Sequence, residues 1–329
     1  MRILLLITSV LLSGAAAAQP LTSRAALTAG RAGAVADLHG TVAVYNRDAQ
    51  QIECSGVLVA ADLVLTAAHC VVELADDDDP LGPYPPDRFA VIAGELRPDL
   101  IDETNHYDID TIVAHADFML EDIEDPITGL GNVRDIALLF LVEPIVRLNP
   151  VPLLTAGEAV THLQVESPVV LTGYGVHDLV HASEGALHLG DATVARRLAY
   201  EMLVGGDGEA DTCIGDSGGP VYVRVAGELK VAGIASRGPD DSAVLCGDGT
   251  IAVVIPGFYD WIVGNARGRV APDAPLSVGP GAMPPPGHET PLPPRCNCAA
   301  GDGPMGPFGV GFALVLLWFR RRRGQGAAG

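Results

Sequence analysis

The amino-acid sequence predicts an all-β domain, a barrel or a sandwich, over about residues 37–265 of the 329-residue chain. Apolar runs of five or six residues, rich in Val, Leu, Ile and Thr, recur through this region as they do in strands. Gly, Pro and Asp, which favour turns, separate the runs. Helical periodicity is nearly absent, which excludes alternating strand–helix units around a parallel sheet.

The predicted strands follow in chain order at residues 40–45, 55–59, 63–67, 89–93, 136–141, 169–173, 221–225, 231–235 and 250–255. Many short strands of this kind are typical of antiparallel barrels and sandwiches. One later segment, residues 258–266 around Trp261, spaces its apolar residues as a helix does. It predicts a short helix that closes the domain.

The N-terminal residues 1–18 are predicted to be a secretory signal peptide. A positive charge precedes the apolar run 3–12, and Ala16 and Ala18 then form a small-residue cleavage site. The run is much shorter than the roughly 20 residues that a membrane-spanning helix needs. We therefore expect export to a compartment that permits disulfides, and we interpret residues 19–31 as a propeptide.

The C-terminal end divides into a linker and a tail. Residues 267–295 are rich in Pro and Gly, a composition that prefers extended conformations and buries no core. Residues 296–329 carry two cysteines, the apolar stretch 308–319 and then the four arginines 320–323. This order resembles the myxobacterial C-terminal sorting tail, which implies sorting and processing machinery and a place at the cell surface or outer envelope. The alternative is an ordinary short membrane anchor, in which the stretch is a transmembrane helix.

The charge balance excludes nucleic acid as a partner. Lys and Arg number 20 against 41 Asp and Glu, a formal net charge of −21. Such a chain repels phosphate backbones, whereas nucleic-acid-binding proteins concentrate Lys and Arg. The acidic clusters at 76–79 and 121–125 are interpreted as solvated faces of insertions.

Six cysteines form three groups along the chain, and the two groups in the domain are Cys54 with Cys70 and Cys213 with Cys246. In an exported protein these four are expected to form disulfides, although spacing alone does not establish their connectivity. A bridge from Cys54 to Cys70 would stabilise the fold by roughly 3 kcal/mol. Zinc is disfavoured because the chain has no C-x-x-C pair, and no metal is assigned.

A serine among glycines, Ser217 within residues 215–219, is the candidate nucleophile. A serine hydroxyl attacks a carbonyl group when a histidine accepts its proton and a carboxylate orients that histidine. His69 ends a predicted strand and is tethered by the cysteine after it, and Asp135 begins another strand. The backbone N–H groups of Gly215 and Ser217 would then converge on the oxyanion that forms during the attack.

The chain order His69, Asp135, Ser217 excludes one rival fold. The pattern Gly-x-Ser-x-Gly also occurs in the nucleophile elbow of α/β-hydrolases, but there the acid and the histidine follow the serine. The one histidine after Ser217 is His288, which lies in the linker.

Three motifs, residues 66–70 (TAAHC), 135–139 (DIALL) and 215–220 (GDSGGP), resemble those of the chymotrypsin and trypsin family of serine endopeptidases. The two cysteine pairs match as well, and the resemblance covers about residues 30–266. It implies a double six-stranded antiparallel β-barrel with a short C-terminal helix over residues 32–266, with the catalytic residues in the cleft between the barrels.

The resemblance also implies a mechanism. Ser217 would act as nucleophile, His69 as general base and then acid, and Asp135 as the residue that orients His69. The substrate would be a protein or peptide, no cofactor would be needed, and the expected state is a monomer.

A candidate specificity pocket follows from the same resemblance. Asp211 lies six positions before Ser217, where trypsin-like members carry a carboxylate at the floor of the primary pocket, which implies cleavage after Lys or Arg. Ser236 and Gly238 match the strand whose backbone binds the substrate, and Gly249 matches a glycine of the pocket wall. The alternative is that Asp211 is an ordinary acid on a solvated loop.

Some family features are missing. The Ile-Val-Gly-Gly start of the mature enzyme is absent. In the family its ammonium group pairs with the acid before the serine, here Asp216. Arg24 and Arg31 are candidate cleavage points for a new N-terminus. Tyr174 and Arg237 stand where tryptophans are common, and the cation of Arg237 is expected to favour acidic subsites.

Calcium binding and a non-enzymatic role are the remaining alternatives. The residue that resembles the first ligand of the family's calcium loop is Glu95, and further acids follow it at Asp99, Asp102 and Glu103. An inactive trypsin-like module that binds partners at the surface is disfavoured, because the chain keeps all the catalytic residue types.

Overall fold

The computed structural model describes residues 30–75, 79–94, 105–119, 123–125, 128–176, 185–239 and 246–272. The expected signal peptide, most of the expected propeptide and linker, and the whole tail lie outside these residues. So does the candidate calcium segment with Glu95, Asp99, Asp102 and Glu103. None of the helices described is long and apolar enough to cross a membrane.

The described strands, in chain order, are β1 (Arg31–Ala32), β2 (Thr41–Asn46), β3 (Gln51–Ala60), β4 (Leu63–Thr66), β5 (Val72–Leu74), β6 (Pro80–Pro83), β7 (Phe89–Ile92), β8 (His106–Ala114), β9 (Ile123–Asp125), β10 (Leu130–Gly131), β11 (Ala137–Leu141), β12 (Pro168–Gly173), β13 (His188–Arg197), β14 (Glu201–Val204), β15 (Pro220–Val225), β16 (Glu228–Arg237) and β17 (Thr250–Val254). The α-helices are α1 (Ala156–His162) and α2 (Ile255–Asn265).

Six strands close the first barrel in the order β11-β4-β3-β2-β7-β8, and all neighbours are antiparallel. β4 and β11 are buried along their whole length, which explains their continuous apolar sequences. The register pairs Ala137, the first residue of β11, with Thr66, the last residue of β4. The segment before β11 and the segment after β4 therefore meet at one end of the barrel.

The second barrel closes because β13 pairs with β12 on one side and with β14 on the other, giving the order β13-β12-β15-β16-β17-β14. Its pairings are also antiparallel, and β1 adds to the first residues of β13. The predicted double six-stranded barrel with a short C-terminal helix is confirmed.

Buried hydroxyl groups join the two barrels. Thr41 of β2 hydrogen bonds through its side chain to Thr172 of β12 (2.7 Å) and to Tyr222 of β15 (3.1 Å). Tyr222 in turn donates to the carbonyl oxygen of His39 (2.6 Å). Breaking such a network leaves a buried polar group without a partner, so it helps to fix the position of one barrel against the other.

Every predicted strand coincides with an observed one, but the sequence pattern missed several elements. The missed strands include β8, β13 and β14. The helix α1 was also missed: it has seven residues, of which Ala159 alone is buried, and it begins with a capping box of Thr155 and Glu158. The closing helix α2 begins at Ile255, three residues earlier than predicted, with a proline in its first turn.

Candidate active site

His69 lies in a short 3-10 turn, Ala68–Cys70, that follows β4. A disulfide between Cys54 and Cys70 ties this turn to β3. The second predicted disulfide, Cys213 to Cys246, is also present, so both expected pairs are confirmed. The first disulfide therefore tethers His69 through its neighbour Cys70. The side chain of His69 is 25% exposed, so solvent still reaches it.

Asp135 is fully buried just before β11, and its carboxylate faces His69. Its Oδ2 atom lies 2.6 Å from Nδ1 of His69, and its Oδ1 atom accepts from the backbone N–H of His69 at 2.8 Å. The hydroxyl of Ser236 donates to Oδ2 at 2.6 Å. One carboxylate oxygen thus binds the imidazole ring and the other binds the backbone of the same residue, which fixes the orientation of the ring. Nε2 is the ring nitrogen that Asp135 does not bind.

The buried pair shifts both pKa values. Burial alone lowers the pKa of His69, but the charge of Asp135 and its hydrogen bond outweigh burial and raise that pKa above its usual value. Burial alone raises the pKa of Asp135, yet His69 and the Ser236 hydroxyl hold it below its usual value. The carboxylate therefore stays ionised and stabilises an imidazolium, as a general base beside a serine requires.

Ser217 lies beside the end of β4. Its carbonyl oxygen accepts from the N–H of Ser55 in β3 at 2.7 Å. The next residue, Gly218, has φ +79° and sits so close to Thr66 that any side chain there would collide with it. These backbone contacts bring Ser217 to the strand that leads to His69.

Ser217 is partly exposed, and its hydroxyl has no hydrogen-bond partner among the described residues. A bond from this hydroxyl to Nε2 of His69 is therefore not formed in this structure. Hydrogen bonds between a catalytic serine and its histidine are often long until a substrate binds. The structure thus bonds His69 to Asp135 and sets the backbone of Ser217 and Gly218 against β3 and the end of β4, the strand that leads to His69.

The N–H groups of Gly215 and Ser217 likewise have no backbone acceptor within the described part of the chain. Gly215 has φ +89°, a conformation that favours glycine. Its carbonyl oxygen accepts from the Ser55 hydroxyl at 2.9 Å, and the same hydroxyl oxygen accepts from the N–H of Tyr174 at 2.9 Å. The carbonyl of Gly215 is thus occupied, and the two N–H groups stay available to an anionic oxygen.

Asp216 is 2% exposed and accepts from the N–H groups of Gly175 (2.8 Å) and Cys213 (3.0 Å). Burial raises its pKa to about 7, and the nearby charge of Asp211 adds to the effect. No cationic side chain pairs with Asp216 within the ranges that the structure covers. The candidate cleavage point after Arg31 lies inside β1, whereas Arg24 lies outside the described residues.

Asp211 is fully buried and so does not lie on a solvated loop. Its Oδ2 atom accepts from the N–H groups of Gly247 (2.6 Å) and Gly249 (2.9 Å). Gly249 has φ +107°, so another residue there would strain the backbone. Gly238 faces open space, since a Cβ atom added to it would have no neighbour within 4 Å.

One cluster of metal-binding residue types occurs among the described residues, formed by Cys54, His69 and Cys70. Both sulfur atoms belong to the disulfide, so neither is a thiolate that could bind zinc. The cluster is therefore explained by the covalent tether of His69.

A comparison with protein-family models adds to this geometry. The model described as Trypsin matches residues 30–262, well over half of the chain. The chain belongs to the trypsin family. The matched region includes both barrels, the two disulfides and the residues His69, Asp135 and Ser217.

Individual members of the trypsin family are similar at lower identity. The proclotting enzyme of Tachypleus tridentatus is 29% identical over 234 residues, which cover 65% of this chain and 58% of that protein. The vitellin-degrading protease of Bombyx mori is 29% identical over 210 residues, 56% of this chain and 66% of that protein. Chymotrypsin-like elastase family member 1 of Macaca fascicularis is 27% identical over 226 residues, 64% and 77% respectively. The chain thus spans less than two thirds of the length of the first two relatives.

Within this trypsin-family site, sequence reasoning missed three roles. The hydroxyl of Ser55 holds the Gly215 peptide, and the hydroxyl of Ser236, predicted only to contact substrate, bonds to Asp135. The cation of Arg237 is not free beside the substrate strand, because it is paired with buried Glu201. Glu201 is one of 41 acidic residues and carries no sequence signal of this role.

Proposed function

We propose that this chain is a serine endopeptidase that cleaves peptide bonds after Lys or Arg through an acyl-enzyme. The observation that carries the proposal is the 2.6 Å contact between Asp135 Oδ2 and His69 Nδ1, next to the turn that bears Ser217. Membership of the trypsin family and the similarity to named proteases support the same activity.

Acylation begins when Ser217 Oγ attacks the carbonyl carbon of the scissile peptide and its proton passes to Nε2 of His69. The carbonyl oxygen becomes an oxyanion, which accepts from the N–H groups of Gly215 and Ser217, each donor lowering the barrier by about 3 kcal/mol. Asp135 stays ionised and stabilises the imidazolium. His69 then donates its proton to the leaving amine nitrogen, the C–N bond breaks, and Ser217 is left as an ester.

Deacylation repeats these roles with water. His69 takes a proton from a water molecule, whose oxygen attacks the ester carbonyl carbon. Collapse of the second tetrahedral intermediate releases the carboxylic acid product, and the proton held by His69 returns to Ser217. The cycle restores every group and consumes one water for each peptide bond.

The preference for Lys or Arg depends on Asp211. Its carboxylate is buried, and hydrogen bonds from the backbone N–H groups of Gly247 and Gly249 hold Oδ2 in place. A carboxylate at the floor of the pocket would attract the cation of a Lys or Arg side chain and would repel an acidic side chain. The small residues Gly238 and Gly249 leave room for a long side chain.

Export and surface sorting form the second part of the proposal. The signal peptide predicted for residues 1–18 and the two disulfides support an oxidising compartment. The tail at residues 296–329 supports delivery to the cell surface or outer envelope by sorting machinery. Protease digestion of intact cells, compared with cells producing a chain truncated after the domain, would test this location.

Labelling with a fluorophosphonate probe tests the nucleophile. The probe should react with wild-type protein at Ser217, as peptide mapping would locate it, and should not react with Ser217→Ala. Ser167→Ala, a serine in the second barrel away from the site, is the control and should react normally. Equal labelling of wild type and Ser217→Ala would refute the assignment.

Turnover separates the enzyme from the inactive surface module. Purified wild-type protein should hydrolyse a chromogenic peptide ending in Arg, and the same peptide ending in Glu should be a poor substrate. A correctly folded, processed protein that neither reacts with the probe nor cleaves any peptide would favour the binding module.

A further inference from the structure

Two neighbouring residues of β16 bond to the same segment, which leads into β11 of the first barrel. The hydroxyl of Ser236 donates to Asp135, and Nη2 of Arg237 donates to the carbonyl oxygen of Gly129 at 2.6 Å. Residues 129–135 run from one contact to the other. β16 therefore binds both ends of the segment that ends at Asp135.

The buried carboxylate of Glu201 binds both Arg237 and the segment near Gly129. Glu201, the first residue of β14, is fully buried, and its two oxygens accept from the guanidinium of Arg237 at 2.6 and 3.0 Å. Oε2 of Glu201 also accepts from the N–H of Gly131 at 2.6 Å. The ion pair thus ties β14, β16 and the turn before Asp135 together at one point.

Stability alone is a poor explanation of this ion pair. Two charges lose about as much on leaving water as they gain by attraction, so apolar replacements of buried pairs are often neutral or stabilising. A bidentate guanidinium–carboxylate pair instead supplies a fixed geometry. The side chains of Arg237 and Glu201 are 16% and 0% exposed, so water competes little for that geometry.

We propose that Arg237 and Glu201 are positioning residues, which hold residues 129–135 so that Asp135 meets His69 in a single orientation. The consequence for catalysis rests on the proposed function, whereas the effect on the imidazole does not. All three hydrogen bonds of the guanidinium go to protein acceptors. Arg237 is therefore not available as a cation that selects acidic substrates, which corrects the expectation from the sequence.

The charges around His69 decide which variants are informative. Beyond burial, which lowers the pKa of His69, the acids Asp135 and Glu53 raise it and the cation of Arg237 lowers it. The sulfur of Cys70 lies 3.7 Å from Nε2 but is in a disulfide and does not titrate. Removing the Arg237 charge would alter the imidazole directly, so the variants must conserve charge.

Two exchanges change the geometry of the pair and keep its charge. Arg237→Lys replaces a planar fork by a single ammonium, whose donors diverge from one nitrogen and do not reproduce the two parallel bonds to the Glu201 oxygens. Glu201→Asp shortens the carboxylate by one methylene and draws it away from Gly131. A change at His69 in either variant then reports position rather than charge.

The same strand offers a matched control. Lys230, near the other end of β16, forms an ion pair with Glu158 of α1, and both side chains are partly buried. Lys230→Arg and Glu158→Asp make equivalent charge-conserving exchanges away from Asp135.

The first measurement is an NMR titration of the full-length protein labelled with ¹³C-histidine. His69→Gln identifies the His69 resonance among the nine histidines. Arg237→Lys and Glu201→Asp should each lower the pKa of His69 by about one unit, because a displaced Asp135 stabilises the imidazolium less. The two control variants should titrate as the wild type does.

The second measurement separates kcat from KM on an Arg peptide. Both variants should lose about tenfold in kcat with little change in KM, as expected when an interaction made only in the transition state weakens. Unchanged titration and kcat in a folded variant, or a rise in KM alone, would overturn the inference.

Folding and activity are checked separately. If one variant does not fold, as judged by its thermal transition, the other decides; if neither folds, the pair has a structural role and the inference is wrong. If the wild type cleaves no peptide, the proposed function fails, and the His69 titration still decides the positioning role.

Discussion

The hydroxyl of Ser55 donates a 2.9 Å hydrogen bond to the carbonyl oxygen of Gly215, which lies 160 positions later in the chain. Ser55 is itself held, because its hydroxyl oxygen accepts from the N–H of Tyr174 and its carbonyl oxygen accepts from the Thr66 hydroxyl at 2.8 Å. A side chain of the first barrel therefore fixes the carbonyl of the peptide between Gly215 and Asp216, which lies between the two N–H groups, of Gly215 and Ser217, that would bind the oxyanion.

Replacing this hydroxyl should weaken catalysis without weakening substrate binding. Ser55→Ala frees the peptide between Gly215 and Asp216 to rotate and so disturbs the N–H groups of Gly215 and Ser217 on either side of it; we expect kcat to fall by about tenfold to a hundredfold with KM nearly unchanged. Steady-state kinetics on a chromogenic Arg peptide would measure both constants, with Ser167→Ala as a control. A Ser55→Ala enzyme with wild-type kcat would mean that the Gly215 peptide needs no such support.

The pH dependence of kcat/KM should report the pair of His69 and Asp135. The general base acts only when His69 is neutral, and its pKa is raised by Asp135. Activity should therefore rise with pH through a midpoint above the usual histidine value of about 6.5. Asp135→Asn should lower kcat by about 10⁴ at neutral pH and move that midpoint down. A wild-type midpoint below the usual value would contradict the described geometry.

Asp211→Ser should change specificity more than overall catalysis. Losing a desolvated ion pair with the substrate costs several kcal/mol, so kcat/KM on Arg esters should fall by at least about two orders of magnitude. Activity on esters with an apolar side chain should fall much less, and the ratio of the two is insensitive to any loss of stability. Asp207→Asn, which removes an exposed acid nearby, is the control. An unchanged Arg preference would remove Asp211 from the pocket.

The sequence was sufficient for the fold because the barrel strands bury continuous runs of β-branched and aliphatic residues. Residues 63–67 were predicted as a strand, and Leu63–Thr66 is one, buried throughout. β8 escaped notice because its inward residues alternate with acids and other polar residues, which gives no continuous run. α1 has a single buried residue, so its sequence shows no apolar stripe.

Individual contacts in the site could not be predicted, because they join residues far apart in the chain. Ser236 and Asp135 are 101 positions apart, and Arg237 and Glu201 are 36 apart. Motif spacing indicates which residue types are present, but not which hydroxyl or carboxylate is the nearest partner. Arg237 was accordingly interpreted as a free cation, whereas the closed second barrel sets Glu201 beside it.

Before any cleavage creates a new N-terminus, Asp216 should make the protein less stable as the pH rises. Its pKa is raised by burial to about 7 in the folded state, against about 3.9 for an unfolded chain. The folded protein therefore binds one more proton than the unfolded chain between about pH 4 and pH 7. The free energy of unfolding should fall across this interval, by an amount on the order of 4 kcal/mol, as the buried carboxyl group is forced to ionise.

Urea unfolding of Ser217→Ala, which prevents self-cleavage, would measure this dependence against the double variant with Asp216→Asn. The asparagine cannot ionise, and losing one acceptor for the N–H of Gly175 or Cys213 costs the same at every pH. The difference in unfolding free energy between the two proteins should therefore slope between about pH 4 and pH 7 and be flat outside it. A difference that is flat throughout would mean that a cation neutralises Asp216 before any cleavage creates a new N-terminus. The new ammonium group would then not be needed as the partner of Asp216.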